Sequence, residues 1–299
     1  MKFEVKKIDK ITAVMFIEKY HYSPVMPALT THYLGFFLKD ELSGVMTLGW
    51  GTRPRHTIAK ILPTLKDELF ELNVPNVRSS GYKHSLTNYY FEIGKMCLLP
   101  KLNGTKSYGS CMISSSIRWI KRNTNCKYLY TMADGIMGKC GYVYQASNFY
   151  FGERYWTDVY MMENGEKLHP RSSKDLCKEN VEWERRNDDM FKKDKLSWLT
   201  TGFMKERGIR RYKGYMFRYI YPLDKRSAKI LLKLSSMNWT KNYPKKDKLQ
   251  WKDVTDLKDV IIINESDKNR PDFEMGVDNI KHNNITSSTL TVLDDFFLT

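Results

Sequence analysis

Asp134 closes a short apolar run, residues 128–132, and is followed by Gly135. That puts a carboxylate at the carboxyl end of an expected strand, where α/β folds place their sites. There it can take a proton from an amine, bond the edge of a base, or cap the turn that follows. Tyr144, Gln145 and Asn148 come next on one short segment. Tyr144 suits a general acid, a stacking surface or a core ring, and Gln145 carries the paired donor and acceptor that fit an adenine edge. Glu92 and Lys95 stand three apart on one expected strand, so they face opposite sides unless a bulge at Gly94 intervenes. His21, Tyr22 and Ser23 lie just past a helix end. His21 is a candidate general base. With His32 and either Asp134 or Glu92 it also permits a two-histidine, one-carboxylate iron site, although no spacing demands one. Trp50, Arg53, Arg55 and His56 form a basic-aromatic loop with Gly49 and Gly51. Phosphate contact, or filling the gap left by an extruded base, would use such a loop, and so would plain Arg–Pro stacking. Arg210, Arg211, Lys213 and Arg218 alternate with Tyr212, Tyr215 and Tyr219, a second basic-aromatic stretch suited to gripping a DNA backbone.

The elements that must hold these groups follow from periodicity. Ile8, Ile11, Val14, Met15 and Ile17 recur at helical spacing, and Pro24 closes that segment. Residues 33–38 and 42–48 read as a hairpin around Lys39, Asp40 and Glu41. A helix is expected over 58–70, a strand over 89–99, a helix over 108–121 and a strand over 128–132. A loop with a short helix over 138–149 and a strand over 155–162 follow. Residues 171–213 are charged, 215–221 read as an aromatic strand, 225–234 as an amphipathic helix and 260–263 as a strand. This order predicts an α/β fold in which a central strand feeds a loop at a helix N-terminus, where free N–H groups can hold an anion.

The chain has 299 residues and a formal net charge of +15, unevenly spread. Residues 1–165 carry a net +8, 166–252 a net +13 and 253–299 a net −6. Three segments are therefore expected: a catalytic domain over 1–165, a basic aromatic-containing extension over 166–252, and an acidic, flexible tail over 253–299 that competes with DNA for the extension or is simply solvated. Excess Lys and Arg favours a polyanionic partner, of which double-stranded DNA is one. No run approaches the ~20 apolar residues of a membrane span, and no apolar stretch backs the charges of the first residues, so a cytoplasmic protein is expected. Five cysteines without a C-x-x-C pair read as ordinary thiols. Oligomeric state stays open, with a dimer among the options.

Several segments, in order, resemble the Mom family of phage DNA-modification proteins: Tyr20-His21-Tyr22-Ser23, Gly49-Trp50-Gly51-Thr52-Arg53-Pro54, Glu92-Ile93-Gly94-Lys95-Met96-Cys97, residues 133–139, residues 141–149 and His169-Pro170-Arg171. The resemblance implies a GNAT-like mixed sheet flanked by helices and transfer of a methylcarbamoyl group to the exocyclic amine of adenine in DNA, protecting it in the host cytoplasm from restriction. It makes Asp134, Tyr144, His21 and Glu92 the catalytic candidates, and Tyr22, Ser23, Trp50, Arg53, Gln145, Asn148, Arg210, Arg211 and Lys213 the substrate-binding ones. For an acyl-CoA-like donor it points to Lys95, Gly104, Thr105, Lys106 and Ser107. Iron, with His21 and Asp134 as ligands, is the other cofactor option. One departure weakens the donor site: where the family suggests an Arg at the helix start, this chain has Asn103-Gly104-Thr105-Lys106-Ser107, and Lys cannot reproduce a planar bidentate contact. Two other functions fit the same residues: an acyltransferase acting on a protein or small-molecule amine, and a non-catalytic DNA-binding anti-restriction protein.

Overall fold

Short-range patterns set the first half of the chain. In the computed structural model, which describes residues 3–23, 25–51, 54–61, 89–104, 107–168, 173–256 and 258–273, an edge strand β1 (Glu4–Lys7) precedes helix α1 (Lys10–Tyr20). Asp9 caps α1 by accepting the Thr12 N–H at 2.8 Å, satisfying one of the free donors of its first turn. The expected hairpin is β2 (Thr30–Leu38) with β3 (Glu41–Gly49). Its two turn residues, Lys39 and Asp40, take positive φ values of 48° and 65°, the sense that matches strand twist in two-residue hairpins.

Helix α2 (Pro54–Ile61) begins the next helical stretch; the remainder of the helix expected over 58–70 lies outside the described residues. Strand β4 (Tyr90–Leu98) pairs antiparallel with β3, and helix α3 (Tyr108–Asn123) crosses to β5 (Tyr128–Asp134), which lies parallel to β4. That parallel pairing covers only Tyr90–Glu92 against Tyr128–Tyr130. Beyond it β4 runs on to Leu98 and β5 to Asp134 without pairing to each other, so the sheet opens into a cleft at its carboxyl side.

The remaining elements are α4 (Tyr142–Ala146), β6 (Tyr150–Met161), β7 (Lys167–Leu168), α5 (Lys174–Asn187), α6 (Thr201–Glu206), β8 (Arg210–Pro222), α7 (Lys225–Leu234), β9 (Gln250–Asp253) and β10 (Ile261–Asn264). The main path runs β1-β2-β3-β4-β5-β8-β6-β7, with β9 on β8 and β10 on β9. The fold is thus mixed α/β with a ten-stranded, mostly antiparallel sheet, as expected. Strand β8 comes from the segment expected as an extension, yet it sits between β5 and β6, so one sheet draws strands from both sides of residue 165. The charged stretch before it folds back as well: Leu199, Phe203, Met204 and Ile209 pack on Tyr160 of β6.

Strand alternation sorts the two faces. Met112, Ile113, Ile117 and Ile120 of α3 pack on Phe36, Met46, Phe91, Ile93 and Leu129. Ala13, Phe16 and Ile17 of α1 pack on Val45 and Cys97 of the other face. Farther along, Leu231 of α7 packs with Tyr90, Tyr128, Tyr130 and Ile220. Burial of this size drives the fold at roughly 25 cal/mol per Å² of apolar surface. Among the described residues no helix is long and apolar enough to cross a membrane. All five cysteines are free thiols.

Candidate functional site

A bulge decides where the Glu92 and Lys95 side chains go. Thr47 of β3 stands opposite Lys95 and Leu48 opposite Ile93, leaving Gly94 as the extra residue. The register shift cancels the odd spacing, so Glu92, Lys95 and Cys97 share the α1 face while Ile93 joins the α3 core. Glu92 sits at the last paired position before the cleft opens, opposite Tyr130. Its carboxylate lies against Gly51, whose φ is 69° and where any side chain would strike the carboxylate. Among the described residues nothing donates a hydrogen bond to it, and burial pushes its pKa up to about 7.

Past Glu92 the cleft mouth gathers charged groups from four elements. Lys95 Nζ is held by the backbone carbonyl and the hydroxyl of Ser23. Ser23 N–H donates to His21 Nδ1 at 3.0 Å, and the His21 ring stacks on Tyr22 with centroids 4.5 Å apart. Lys139 Nζ lies over the Tyr22 ring at 3.5 Å, and Lys167 Nζ is 5.9 Å from the same ring. Lys167 also forms an ion pair with Asp134 Oδ2, and the other Asp134 oxygen accepts the Ile136 N–H at 3.2 Å. Burial lowers Lys95 and Lys139 to about 8, with Lys167 adding repulsion to each and Asp134 opposing it. Burial, then Lys95 and Lys139, drive His21 down to about 3. His21 is therefore neutral at pH 7 and a weak base, not the general base anticipated for it. Tyr22 is held well above its usual pKa by burial, Asp134 and Tyr144. Tyr144 accepts a hydrogen bond at 3.3 Å from Thr131, whose hydroxyl also faces the Ile93 carbonyl across the cleft.

The order of these groups along the chain can now be set beside known proteins. A sequence model described as the Mom protein family matches residues 2–245. The chain belongs to the Mom protein family. Membership supports a role in phage DNA modification. Among solved structures, similar chains include the apo form of an agmatine N-acetyltransferase point mutant, at 8% identity and a TM-score of 0.32, and a Drosophila melanogaster polyamine N-acetyltransferase at 8% and 0.31. Each comparison covers 74% of this chain and 100% of the other. No curated protein sequence matches the chain.

Other candidates in this Mom-family chain stand apart from the cleft. Gln145 Nε2 is committed to Cys140 O, Tyr219 Oη and Pro244 O at 3.0–3.1 Å, a scaffold role rather than an open adenine reader. Asn148 is exposed, with φ 62°, and its carbonyl takes Lys241. Trp50 is 1% exposed, so it is a core ring in this conformation and not a stacking surface. Arg210 pairs with Asp253, and Arg211 puts Nε and Nη2 on Asp158 at 3.0 and 2.8 Å while stacking over Trp198. Lys213 is half-buried between Asp158 and Lys252 in the register. Arg53, Thr105 and Lys106 lie outside the described residues, as does the Arg55 side chain.

The described residues do not assemble the iron set drawn from His21, His32 and Asp134 or Glu92. His32 packs edge-on to Phe91 and Trp119, on the α3 side, whereas His21 lies at the cleft mouth of the opposite face. Among the described residues no three His, Cys, Asp or Glu side chains form a ligand set. The three ammonium groups at the mouth also disfavour a divalent cation. A donor with phosphates fits better. Ser107 starts α3 at φ 76° without a side-chain cap, so the first amides of α3 have no capping side chain, and Gly104 before it has φ 76° and open space around its α-carbon. Lys139 and Lys167 were not singled out from sequence. Lys139 ends the resembling segment 133–139, which was its one available signal; Lys167 had none.

Proposed function

We propose that this chain is a GNAT-like transferase that attaches a methylcarbamoyl, or comparable acyl-like, group to the exocyclic amine of adenine in phage DNA, which shields that DNA from host restriction. The observation that carries the reading is Glu92, a desolvated carboxyl titrating near 7 at the point where β4 and β5 part. An adenine amine is a poor nucleophile because its lone pair is delocalised into the ring. It needs a base that is ionised at working pH yet basic enough to take the proton, and a pKa near 7 meets both demands.

An acyl-CoA-like donor would supply the activated carbonyl, with its phosphates at the α3 N-terminus on one side of the sheet. The extruded adenine reaches the cleft from the α1 face, where a flipped base is accessible to side chains. Glu92 accepts the amine proton as the nitrogen–carbonyl bond forms. The bond to the leaving group then breaks, and Tyr144, facing the cleft through Thr131, returns a proton to that group. Tyr22, Lys95 and the Lys167–Asp134 ion pair orient what lies at the mouth. The overall positive charge of +15 favours association with DNA through its phosphates.

Mass spectrometry of nucleosides from DNA of cells expressing the protein tests this directly. A deoxyadenosine carrying the added mass is expected with the wild-type chain and not with Glu92→Gln at equal protein level. An unmodified deoxyadenosine pool beside soluble, folded wild-type protein would sink the reading.

A further inference from the structure

We propose that Lys95, Lys139 and Lys167 form an oxyanion pocket that holds a negatively charged group, a carboxylate or a phosphate, of a small co-substrate. The three ammonium groups surround one aromatic pair: Lys139 and Lys167 on Tyr22, and Lys95 on the Ser23 that bonds His21. One acid faces them among the described residues, Asp134, and Lys167 already occupies it. His21 is neutral, so it adds no charge of either sign. Lys95 rests on a carbonyl and a hydroxyl, and Lys139 on a ring face, and none of these offsets a full charge. Half-buried ammonium groups in excess of their counter-ions are costly, and a bound anion removes that cost.

Enclosure selects the size of the ligand. The Lys167 and Asp134 side chains are only 19% and 12% exposed where the cleft opens between the strands. A backbone phosphate of duplex DNA is carried on a broad surface and does not reach such a position without distortion. A small co-substrate does. The phenol of Tyr22, kept protonated, adds one neutral donor beside the ammonium groups. Assigning the anion to a co-substrate rests on the transferase reading above, in which the CoA-like phosphates sit at α3 on the other side of the sheet; the pocket itself does not.

The test is binding by the full-length protein of three probes: acetate, inorganic phosphate, and a short duplex oligonucleotide. Amine acetylation with trace acetic anhydride across pH, read by peptide mass spectrometry, gives the titration of Lys95 and Lys139 in the wild-type chain. Acetate or phosphate should shift both titrations upward, because an anion favours the charged form. Lys139→Gln and Lys167→Gln should each weaken small-anion binding roughly tenfold, the worth of one charge-assisted hydrogen bond. Asp134→Asn should tighten it, since the one competing carboxylate is gone. A purely structural role for Asp134 predicts the reverse. The proposal is overturned if neither small anion moves the lysines, if duplex DNA alone moves them, or if Asp134→Asn weakens binding. Loss of nucleoside modification with anion binding intact would instead strike the proposed reaction and leave the pocket standing.

Discussion

Two groups of cations in this chain have similar numbers and opposite settings. Along β8, Arg210 meets Asp253 and Arg211 meets Asp158 through two of its nitrogens. Each guanidinium is spent on a neighbour from an adjacent strand. At the cleft mouth, Lys95, Lys139 and Lys167 share Asp134 alone among the described residues. Matched cations weld strands together; unmatched ones leave a charge that a ligand can answer. The same contrast separates Glu92, desolvated and without a donor among the described residues, from Asp158, which receives Arg211. The sign of the charge does not distinguish the two regions; the count of partners among the described residues does.

The sharpest break of this comparison is Glu92→Gln. If the unmatched region is the reactive one, the modification rate falls by about 100-fold or more, the usual cost of losing a general base. Stability moves the other way. The folded pKa of Glu92 is raised, so the folded state binds the extra proton between about 4.5 and about 7. The wild-type chain loses stability across that window and carries the full cost above it. At pH 8 the Gln variant should be more stable, by up to about 3 kcal/mol. Urea denaturation at pH 5 and pH 8 reads both limits. An inactive variant that is also less stable at pH 8 would make Glu92 a structural group.

Arg211→Ala tests the matched region. It strands Asp158, which is 19% exposed, and uncovers Trp198. A loss of about 3 kcal/mol is expected, the lower end of the cost of breaking a buried pair, since one partner stays enclosed without its counter-ion. Anion affinity at the cleft should not change. A variant that unfolds normally but binds the small anion less well would merge the two regions into one.

Much of the sheet was legible because its signals are local. The hairpin around Lys39 and Asp40, the helix ending near Tyr20, α3, and the apolar run before Asp134 depend on neighbours within a few residues. The position of β8 was not. Nothing local in 210–222 says that it slots between β5 and β6 rather than forming an appendage; that choice depends on pairing with residues far away in sequence. Short polar elements were also missed: β1 reads Glu-Val-Lys-Lys, and α5 carries few apolar residues to reveal its period. In the site, Asp134, Glu92, Lys95 and His21 could be named singly. The bulge at Gly94 was foreseen only as a condition for Glu92 and Lys95 to act together, and the structure meets it. The convergence of Lys139 and Lys167 on Tyr22 could not be foreseen, since charges read one at a time do not show what they face.

A smaller effect follows for Lys139→Gln without ligand. The folded pKa of Lys139 lies near 8, below the usual 10.5, so the unfolded chain binds more protons between those values. Wild-type stability should therefore rise with pH from about 8 towards about 10.5, and the Gln variant should show less of that rise. At pH 7 the variant should gain on the order of 1 kcal/mol, after discounting for solvent access. A saturating oxyanion should erase the difference by stabilising the wild-type chain alone. A loss of stability in the ligand-free variant would mean that Lys139 is already matched, contrary to the contrast drawn with β8.

The smallest expected effect belongs to Arg210→Gln. Arg210 is about half exposed and its Nη2 meets Asp253 Oδ2 at 2.5 Å, so its charge is directed at the protein. Removing a side chain that neutralises one DNA phosphate should flatten the slope of log affinity against log salt by about 0.9. If Arg210 serves the sheet, the slope for duplex DNA stays within that amount of wild type, and stability falls only slightly because the Gln amide can still donate to Asp253, whose other oxygen keeps the Thr255 N–H and hydroxyl. If the slope drops by that full amount, Arg210 exchanges Asp253 for a phosphate when DNA arrives. Matched cations on β8 would then be a reserve for DNA binding, and partner count in the free protein would no longer separate structure from function.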